Sequence, residues 1–458
     1  MKFLSYIWPL LLLLSALSCT PTDEEITTDP KAVLRFSADT VLFDTVFVTQ
    51  GSVTKRLKVY NPNNKAVRIS NIALAGATSS PYSLTINGLQ APVVNNLELR
   101  GKDSLNILVK VNVNPSDVNL PFLVADSIVF DTNGKRQNVK LVAYGQNAHF
   151  IRKSTIGSTT WTNDKPYVLL DTLLVKENST LTIEKGALIY AVNNAVLLVN
   201  GRLIVNGTPE ERVMFSGYRR EPAYATAPGQ WEGIRIVTKS ESNIIRYADI
   251  RNAVYGLRIG NPGKAGTLVE GCAIQYTFRD GIIGFTSDIK VINTLIQNCG
   301  QYSFAGLGGG NYEVLYSTIV NYNNPLPRET PAFAVADYIP GTDIENQATR
   351  LRLINTIIYS DSYSFKDEVL FAGNAATLTI EAAHNLLRTE QYKEALSGSG
   401  NIFNINPAFK ETAKRDFSLE ASSPARTAAV PLPDVSADIK GTNRNASTPD
   451  IGAFEYKE

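Results

Sequence analysis

Ile245-Arg-Tyr-Ala-Asp-Ile250 returns as Val269-Glu-Gly-Cys-Ala-Ile274, Val291-Ile-Asn-Thr-Leu-Ile296, Val314-Leu-Tyr-Ser-Thr-Ile319 and Leu353-Ile-Asn-Thr-Ile-Ile358. A degenerate copy, Ile380-Glu-Ala-Ala-His-Asn385, closes the series, and the starts are spaced 24, 22, 23, 39 and 27 residues. Each of the first five copies has aliphatic residues at places one and six and a small residue at place four. A period near 23 made of short β-branched segments is the mark of a solenoid. A leucine-rich repeat needs its leucine and asparagine ladder, which is missing. Helical repeats need a longer period and a 3.6-residue pattern. The remaining reading is a parallel β-helix, one coil per period, with coils stacked at roughly 4.8 Å. Places one and six then point inward, and the small residue sits where the coil bends. The 39-residue spacing is one coil carrying an insertion of about 16 residues, placed around Asn321 to Arg350.

Outward from the repeat, composition sets limits. The formal charge is +1, from 44 Lys+Arg against 43 Asp+Glu, which leaves no electrostatic footprint for nucleic acid. With 31 Gly and 22 Pro the chain is turn-rich. His149 and His384 are the only histidines, and Cys272 and Cys299 are read as buried thiols. No zinc site, no other metal and no cofactor is expected.

The first 19 residues read as a targeting segment, with Lys2 before an apolar run from Ile7 to Leu17 that is short for a membrane span. The run ends in Leu17-Ser18-Cys19, which resembles a bacterial lipobox. That resemblance implies cleavage before Cys19 and lipidation of its thiol. Thr20 after the cysteine resembles the outer-membrane sorting signal of Gram-negative lipoproteins. Asp23, Glu24 and Glu25 resemble the export tag of surface lipoproteins in the Bacteroidetes. The implied place is the outer membrane, lipid-anchored and exposed at the cell surface.

Residues 20 to 30 read as a polar tether, and residues 31 to 148 as alternating strands joined by turns such as Asn61-Pro-Asn-Asn64 and Asp131-Thr-Asn-Gly134. Such spacing predicts a β-sandwich of about 115 residues. Gly51-Ser-Val-Thr-Lys-Arg-Leu-Lys-Val-Tyr-Asn-Pro62 followed by Ile69-Ser-Asn-Ile-Ala-Leu-Ala-Gly76 resembles the immunoglobulin-like sandwiches of cell-surface and spindle-associated proteins. That implies spacing or adhesion. Five Asp-hydroxyl-aliphatic triplets resemble the O-glycosylation acceptor of the Bacteroidetes, with Thr40, Thr45, Ser104, Ser127 and Thr172 as the acceptor residues. The alternative is that Asp simply precedes many strands.

Residues 149 to 165 read as a link between domains. Leu181-Thr-Ile-Glu-Lys-Gly186, Leu203-Ile-Val-Asn-Gly-Thr208 and Pro228-Gly-Gln-Trp-Glu-Gly-Ile-Arg-Ile236 then resemble the opening coils of bacterial right-handed parallel β-helix proteins, a likeness covering roughly 150 to 405. The tail, 406 to 458, carries Asn406-Pro-Ala-Phe409, Arg415-Asp-Phe-Ser-Leu419, Ser423-Pro-Ala425, Asp438-Ile-Lys-Gly441, Arg444 and Asp450-Ile-Gly-Ala-Phe-Glu455. This resembles the C-terminal module called choice-of-anchor Q, and its expected physical role is an end cap over the last coil. The fold class is therefore all-β: an immunoglobulin-like sandwich, a right-handed parallel β-helix and a C-terminal cap.

Chemistry in such a fold is sought in columns, where one place recurs on successive coils. A glycoside hydrolase needs two carboxylates roughly 5 to 9.5 Å apart. Asp249 aligns with Ala273, Leu295, Thr318 and Ile357, and Asp280 aligns with Tyr255 and Tyr302. Neither has an acidic neighbour. The column Tyr255, Asp280, Tyr302 can instead stack on sugar rings and accept hydroxyl hydrogen bonds. Its alternative is a strand of ordinary surface residues. Tyr218, Arg219, Arg220 and Tyr224 form a second aromatic and basic group, while Trp231 is expected in the core. Asn252, Asn298 and Asn321 share a place and read as a partial ladder of stacked amides. Gly306-Leu-Gly-Gly-Gly310 reads as a flexible turn. The function expected is a non-catalytic surface lipoprotein whose β-helix face binds a glycan or a surface protein. The alternative is a lyase or hydrolase acting on uronate-containing polysaccharide.

Overall fold

A computed structural model describes residues 24–117, 119–361 and 365–457. The lipobox with Cys19, the targeting segment, Thr20 and Asp23 lie outside the described residues. Those residues form strands and three short 3-10 turns, with no α-helix among them. The chain divides into two compact units between Asn147 and Ala148.

The first unit is a sandwich of a six-stranded and a five-stranded sheet. Period-two alternation makes it. Along Ser104–Val111 the residues Leu105, Ile107, Val109 and Val111 are buried while Asn106, Leu108 and Lys110 face out. The inner faces meet at Phe36–Phe130, 4.8 Å between ring centroids, and Phe43–Tyr82, 5.9 Å. The hairpin Phe122–Thr132 to Lys135–Gln146 turns on Asn133 and Gly134, both at positive φ, as a two-residue turn of this hand requires. The expected tether is shorter than its sequence suggests. Ile26–Thr27 pairs parallel with Ala66–Val67, Glu24 accepts a bond from the Gly101 N–H at 2.7 Å, and Glu25 meets Lys65 at 2.6 Å. A polar stretch is ordered here because a neighbouring strand supplies backbone partners.

The second unit is a solenoid of three parallel sheets, of 11, 9 and 9 strands, to which each coil contributes in turn. His149–Ile151, Ser154–Ile156 and Thr159–Trp161 open the three sheets, so residues 149 to 161 of the expected link form the first coil. Strands of three residues are too short to show periodicity. Trp161 closes this end, stacked on Tyr167 at 4.2 Å.

The repeat register is observed directly. Ile245, Val269, Val291, Val314 and Leu353 pair in succession, as do Ile250, Ile274, Ile296, Ile319 and Ile358, and all ten are 0% exposed. Place four carries a hydrogen-bond ladder. The Thr294 N–H donates to Ser317 Oγ, the Ser317 N–H to Thr356 Oγ1 and the Thr356 N–H to Asn385 Oδ1. The sixth copy is shifted by two residues from the sequence reading. Leu353 pairs with Ala382 rather than Ile380, so the copy is Ala382-Ala-His-Asn-Leu-Leu387. Leu387 then fills place six, and Asn385 passes the ladder on, its N–H donating to Asn401 Oδ1 at 2.9 Å. Place three, unread in the sequence, is left-handed in every copy: Tyr247, Gly271, Asn293, Tyr316, Asn355 and His384 have φ between 45° and 65°.

Three further expectations change. The long insertion splits into two loops, 322–332 and 337–348, around a regular second-sheet strand, Phe333–Ala336. The run Gly306–Gly310 is largely strand, with only Gly308 and Gly309 between Phe304–Leu307 and Gly310–Leu315. The tail is not a cover for the last coil. It lies along the side of the solenoid, where Phe409, Phe417, Leu419, Ile439, Ile451 and Phe454 pack on the outer face of the first sheet at Ala273, Leu295, Ile357 and Leu386. Residues 390–398 work at the end instead: the Tyr392 hydroxyl accepts the Phe371 N–H and donates to its C=O, both at 3.0 Å, on the last strand of the second sheet. Burying an edge in this way removes an open strand.

Candidate binding face on the second sheet

The outer face of the third sheet is a ladder of alternating charge, Lys290, Glu313, Arg352 and Glu381 in one column. The outer face of the first sheet is covered by the tail from the coil of Ala273 to that of Leu386. The second sheet differs from both. Its central outward column runs Arg235, Arg258, Ile283, Ala305, Ala334 and Leu370.

Two arginines therefore stand directly opposite each other on adjacent coils, an arrangement that costs stability unless the charge is answered. Arg235 is answered by Glu232. Arg258 and Arg279 have no ion pair among the described residues; Arg279 Nε donates only to Gln301. All three guanidiniums surround one ring. Arg235, Arg258 and Arg279 lie 6.0, 5.4 and 5.5 Å from the centroid of Tyr255, and Arg258 also lies 5.3 Å from Phe285. The backbone sets this up at Gly233, whose φ is +109° and whose Cβ, if it had one, would sit 1.8 Å from the Tyr255 carbonyl. The bulge between Gly233 and Ile234 then re-aims the strand that carries Tyr255 and Arg258.

Asp280 follows Tyr255 and precedes Tyr302 in register, since the Gly256 N–H bonds to Asp280 O and the Gly281 N–H to Tyr302 O. Its side chain does not face solvent. Asp280 is 2% exposed, and Oδ1 accepts the Tyr302 N–H at 3.0 Å. Burial pushes its carboxyl up to about 6, against the pull of the Tyr302 N–H and of Arg279 and Arg258. The expected pair of rings flanking an accessible carboxylate is thus corrected. Asp280 is a buried support under the arginines, and Tyr302 packs with Tyr255 against the apolar patch of Ile283, Ala305 and Leu307.

The second expected group engages itself. The Arg219 guanidinium lies 4.0 Å over the Tyr224 ring and pairs with Glu221 at 3.1 Å, and Arg220 lies 5.0 Å over Tyr190. Burial raises the Tyr218 hydroxyl above its usual range. Gln230 and Asn252 amides pin this loop through the carbonyls of Tyr224 and Ala227. Its end, Gly229, borders the arginine cluster through Phe278 and Ala253. Trp231 is 1% exposed, with its indole N–H on Arg251 O. The asparagine ladder also differs from expectation, because Asn252 and Asn298 bond to backbone carbonyls rather than to each other.

The five candidate acceptor hydroxyls, Thr40, Thr45, Ser104, Ser127 and Thr172, are all part-exposed. At Ser104, Ser127 and Thr172 the preceding Asp carboxylate accepts that residue's N–H. Thr40, Thr45 and Ser127 share one outer face of the sandwich, through Lys140 and Tyr144.

Two further carboxylates of the solenoid are held in ion pairs. Asp249 meets Arg212 at 2.8 Å and Arg251 at 3.2 Å, and the fully buried Glu368 holds Arg328 at 2.6 Å. Among the described residues no group of three His, Cys, Asp or Glu is placed to hold a metal ion. Burial raises the Cys272 thiol to about 12 and the Cys299 thiol to about 11. Sequence reasoning followed the tyrosine column and missed Arg235 and Arg258, although Ile234-Arg-Ile236 and Leu257-Arg-Ile259 carry the arginine in one place.

One comparison with known proteins bears on the solenoid. A family model described as a pectate-lyase-like β-helix domain matches residues 153–268, which include Arg235, Tyr255 and Arg258. No curated protein matches the chain by sequence. Among solved structures, a family 123 glycoside hydrolase from Clostridium perfringens is similar over 24% of this chain and 25% of its own, at 9% identity and a TM-score of 0.18. A protein of unknown function from Porphyromonas gingivalis W83 is similar over 28% of this chain and 60% of its own, at 11% identity and a TM-score of 0.19. The ASH/PapD-like domain of human CEP192 is similar over 28% of this chain and 95% of its own, at 10% identity and a TM-score of 0.19. The chain thus spans a quarter of the glycoside hydrolase it resembles. Residues 153–268 are similar to a pectate-lyase-like β-helix, and the parallel sheets carry that right-handed solenoid on to Phe403.

Proposed function

We propose that the outer face of the second sheet binds an anionic polysaccharide without cleaving it. The observation that carries this is the pair of guanidiniums, Arg258 and Arg279, that flank the Tyr255 ring without a direct ion pair among the described residues, with the buried Asp280 carboxyl as their one nearby counter-charge. A carboxylate or sulfate on the glycan answers their charge through paired hydrogen bonds, and Tyr255 stacks on the adjoining sugar ring. A pectate-lyase-like β-helix fits a polysaccharide-related role. In this reading the protein is a surface lipoprotein of the outer membrane, anchored through Cys19, with the sandwich as spacer. O-glycans on Thr40, Thr45, Ser104, Ser127 or Thr172 belong to the same reading.

Isothermal titration with polygalacturonate and with a neutral glucan tests it. Binding of the first and not the second is expected. Equal binding of both, or of neither, overturns it. One observation favours a second reading, lyase action: the family-model match itself. Unsaturated product appearing during the titration would replace binding by catalysis.

A further inference from the structure

The sandwich divides its charge unevenly between its two sheets. The five-stranded sheet is built from Arg35–Phe36, Lys55–Tyr60, Ser104–Val111, Tyr82–Ile86 and Leu89–Gln90. These strands carry Arg35, Lys55, Arg56, Lys58 and Lys110 and no Asp or Glu. The six-stranded sheet mixes both signs, Asp44, Glu98 and Asp131 beside Arg68, Arg136 and Lys140. The ion pairs of this unit among the described residues are Lys65–Glu25, Arg68–Glu98, Arg100–Glu24 and Arg136–Asp131, and none uses a cation of the five-stranded sheet.

Alternation puts Arg56, Lys58 and Lys110 on the outer face together with Arg35, which lies 5.1 Å over the Tyr60 ring. Leu108, 38% exposed, stands opposite Arg56 and two places from Lys110 on its own strand, so two cations flank one exposed leucine. Like charges gathered on one face cost stability unless something outside answers them. From Arg35 to Lys110 they spread over roughly 20 Å at the ordinary strand rise. A flat face of that length matches an array of anions rather than one small anion.

The entry of the chain points to which array. Glu24 accepts the Gly101 N–H, and the Asn61 N–H donates to Asp103 O, so the N-terminal segment comes in at the Tyr60–Ser104 end of this sheet. Glu24 is five positions after Cys19, a reach of at most about 18 Å.

We propose that the outer face of the five-stranded sheet lies on the membrane, with Arg35, Arg56, Lys58 and Lys110 against the phosphates of anionic lipid headgroups and Leu108 among them. The reach rests on the Cys19 anchor of the reading above; the charge does not. Thr40, Thr45 and Ser127 belong to the opposite sheet, whereas Ser104 has an outward place on this one and stays unglycosylated.

The full chain, lipidated in the cell and reconstituted into vesicles, tests it. Cys272 and Cys299 are buried, so a fluorophore attaches at Leu108→Cys or, on the opposite sheet, at Leu42→Cys, 57% exposed. The vesicles are phosphatidylcholine alone or with added phosphatidylglycerol, each carrying a headgroup quencher. Quenching at position 108 and not at 42 is expected on the anionic vesicles, with most of it lost in high salt and in the combined variant Arg56→Ser, Lys58→Ser, Lys110→Ser. Equal quenching at both positions overturns the proposal, as does quenching at 108 that ignores phosphatidylglycerol, salt and the combined variant. An O-glycan found at Ser104 overturns it too. Flotation with the neutral vesicles reads the anchor by itself. A chain that does not float there ends the Cys19 reading, and flotation with the anionic vesicles then decides the sheet alone: a loss of about fivefold per charge removed supports it, and no loss overturns it.

Discussion

Asn355 and Val430, 75 residues apart, exchange a complete pair of hydrogen bonds. Asn355 Nδ2 donates to Val430 O at 2.7 Å, and the Val430 N–H returns to Asn355 Oδ1 at 2.9 Å. An amide side chain thus pairs with backbone as another strand would. Asn355 is one of a column of left-handed residues that fastens the tail to the solenoid. Tyr316 donates its hydroxyl to the same Val430 O, Asn293 accepts from Arg444, and His384 Nδ1 meets Ala428 O. Gly452 fits against this column with φ +104° and its N–H on Asn355 O; a Cβ there would meet Ile357 and Thr318 at 2.8 Å.

Asn355→Ala should therefore loosen the tail. It removes two buried hydrogen bonds and puts alanine at φ 57°, a loss of roughly 2–4 kcal/mol. Asn355→Gly relieves the backbone strain and isolates the bonds, so its loss should be about 1 kcal/mol smaller. Chemical unfolding measures both. Limited proteolysis should release fragments of the 406–458 segment from the alanine variant first.

On the glycan face, Arg258→Ala and Arg279→Ala are expected to weaken polygalacturonate binding by roughly tenfold or more each, the scale of a charge-assisted hydrogen bond. Binding should also fall steeply with salt. Arg258→Ala should leave the unfolding midpoint unchanged or slightly raised, because it relieves the repulsion with Arg235. A lowered midpoint would show that Arg258 is held for packing, not for a ligand.

How much of this was legible is a matter of which forces leave a local trace. Places one and six were readable because stacking demands aliphatic residues at a fixed spacing, and the register from Asp249 to Ile357 follows from them. The sixth copy misled because Ile380 is aliphatic two residues too early, while the true start, Ala382, is small. The burial of Asp280 left no trace, since a carboxylate between coils and one on the surface occupy the same column. The lateral seat of the tail did leave one. Place five changes from Asp249 to Ala273, Leu295, Thr318, Ile357 and Leu386, a polar face turning largely apolar where the tail covers it.

Tyr392 predicts what the end of the solenoid requires. Tyr392→Phe keeps the ring against Phe371, 4.8 Å away, and removes the hydroxyl that satisfies both of that residue's backbone groups. A loss of roughly 1–3 kcal/mol is expected, because an N–H and a C=O at a partly buried edge go unpaired. Light scattering against concentration should show association of the variant, since the strand Val369–Ala372 gains an open edge.

Asp280 offers a test with a definite sign. Its carboxyl is raised to about 6 in the folded chain by burial, so the folded state binds the proton at a pH where the unfolded state has lost it. Stability from this group is full below the unfolded value, falls as pH rises between about 4 and 6, and is lowest above that. Asp280→Asn keeps an oxygen for the Tyr302 N–H and removes the buried charge. It should stabilise the protein at pH 7 by an amount on the order of 2–3 kcal/mol, shrinking to nothing near pH 4. The variant should also bind polygalacturonate more tightly at pH 7, because one negative charge beneath Arg258 and Arg279 is gone. If Asp280→Asn instead destabilises at pH 7, the ionised carboxylate is held by its two arginines more strongly than burial opposes it, and its pull on them is part of how the face is built.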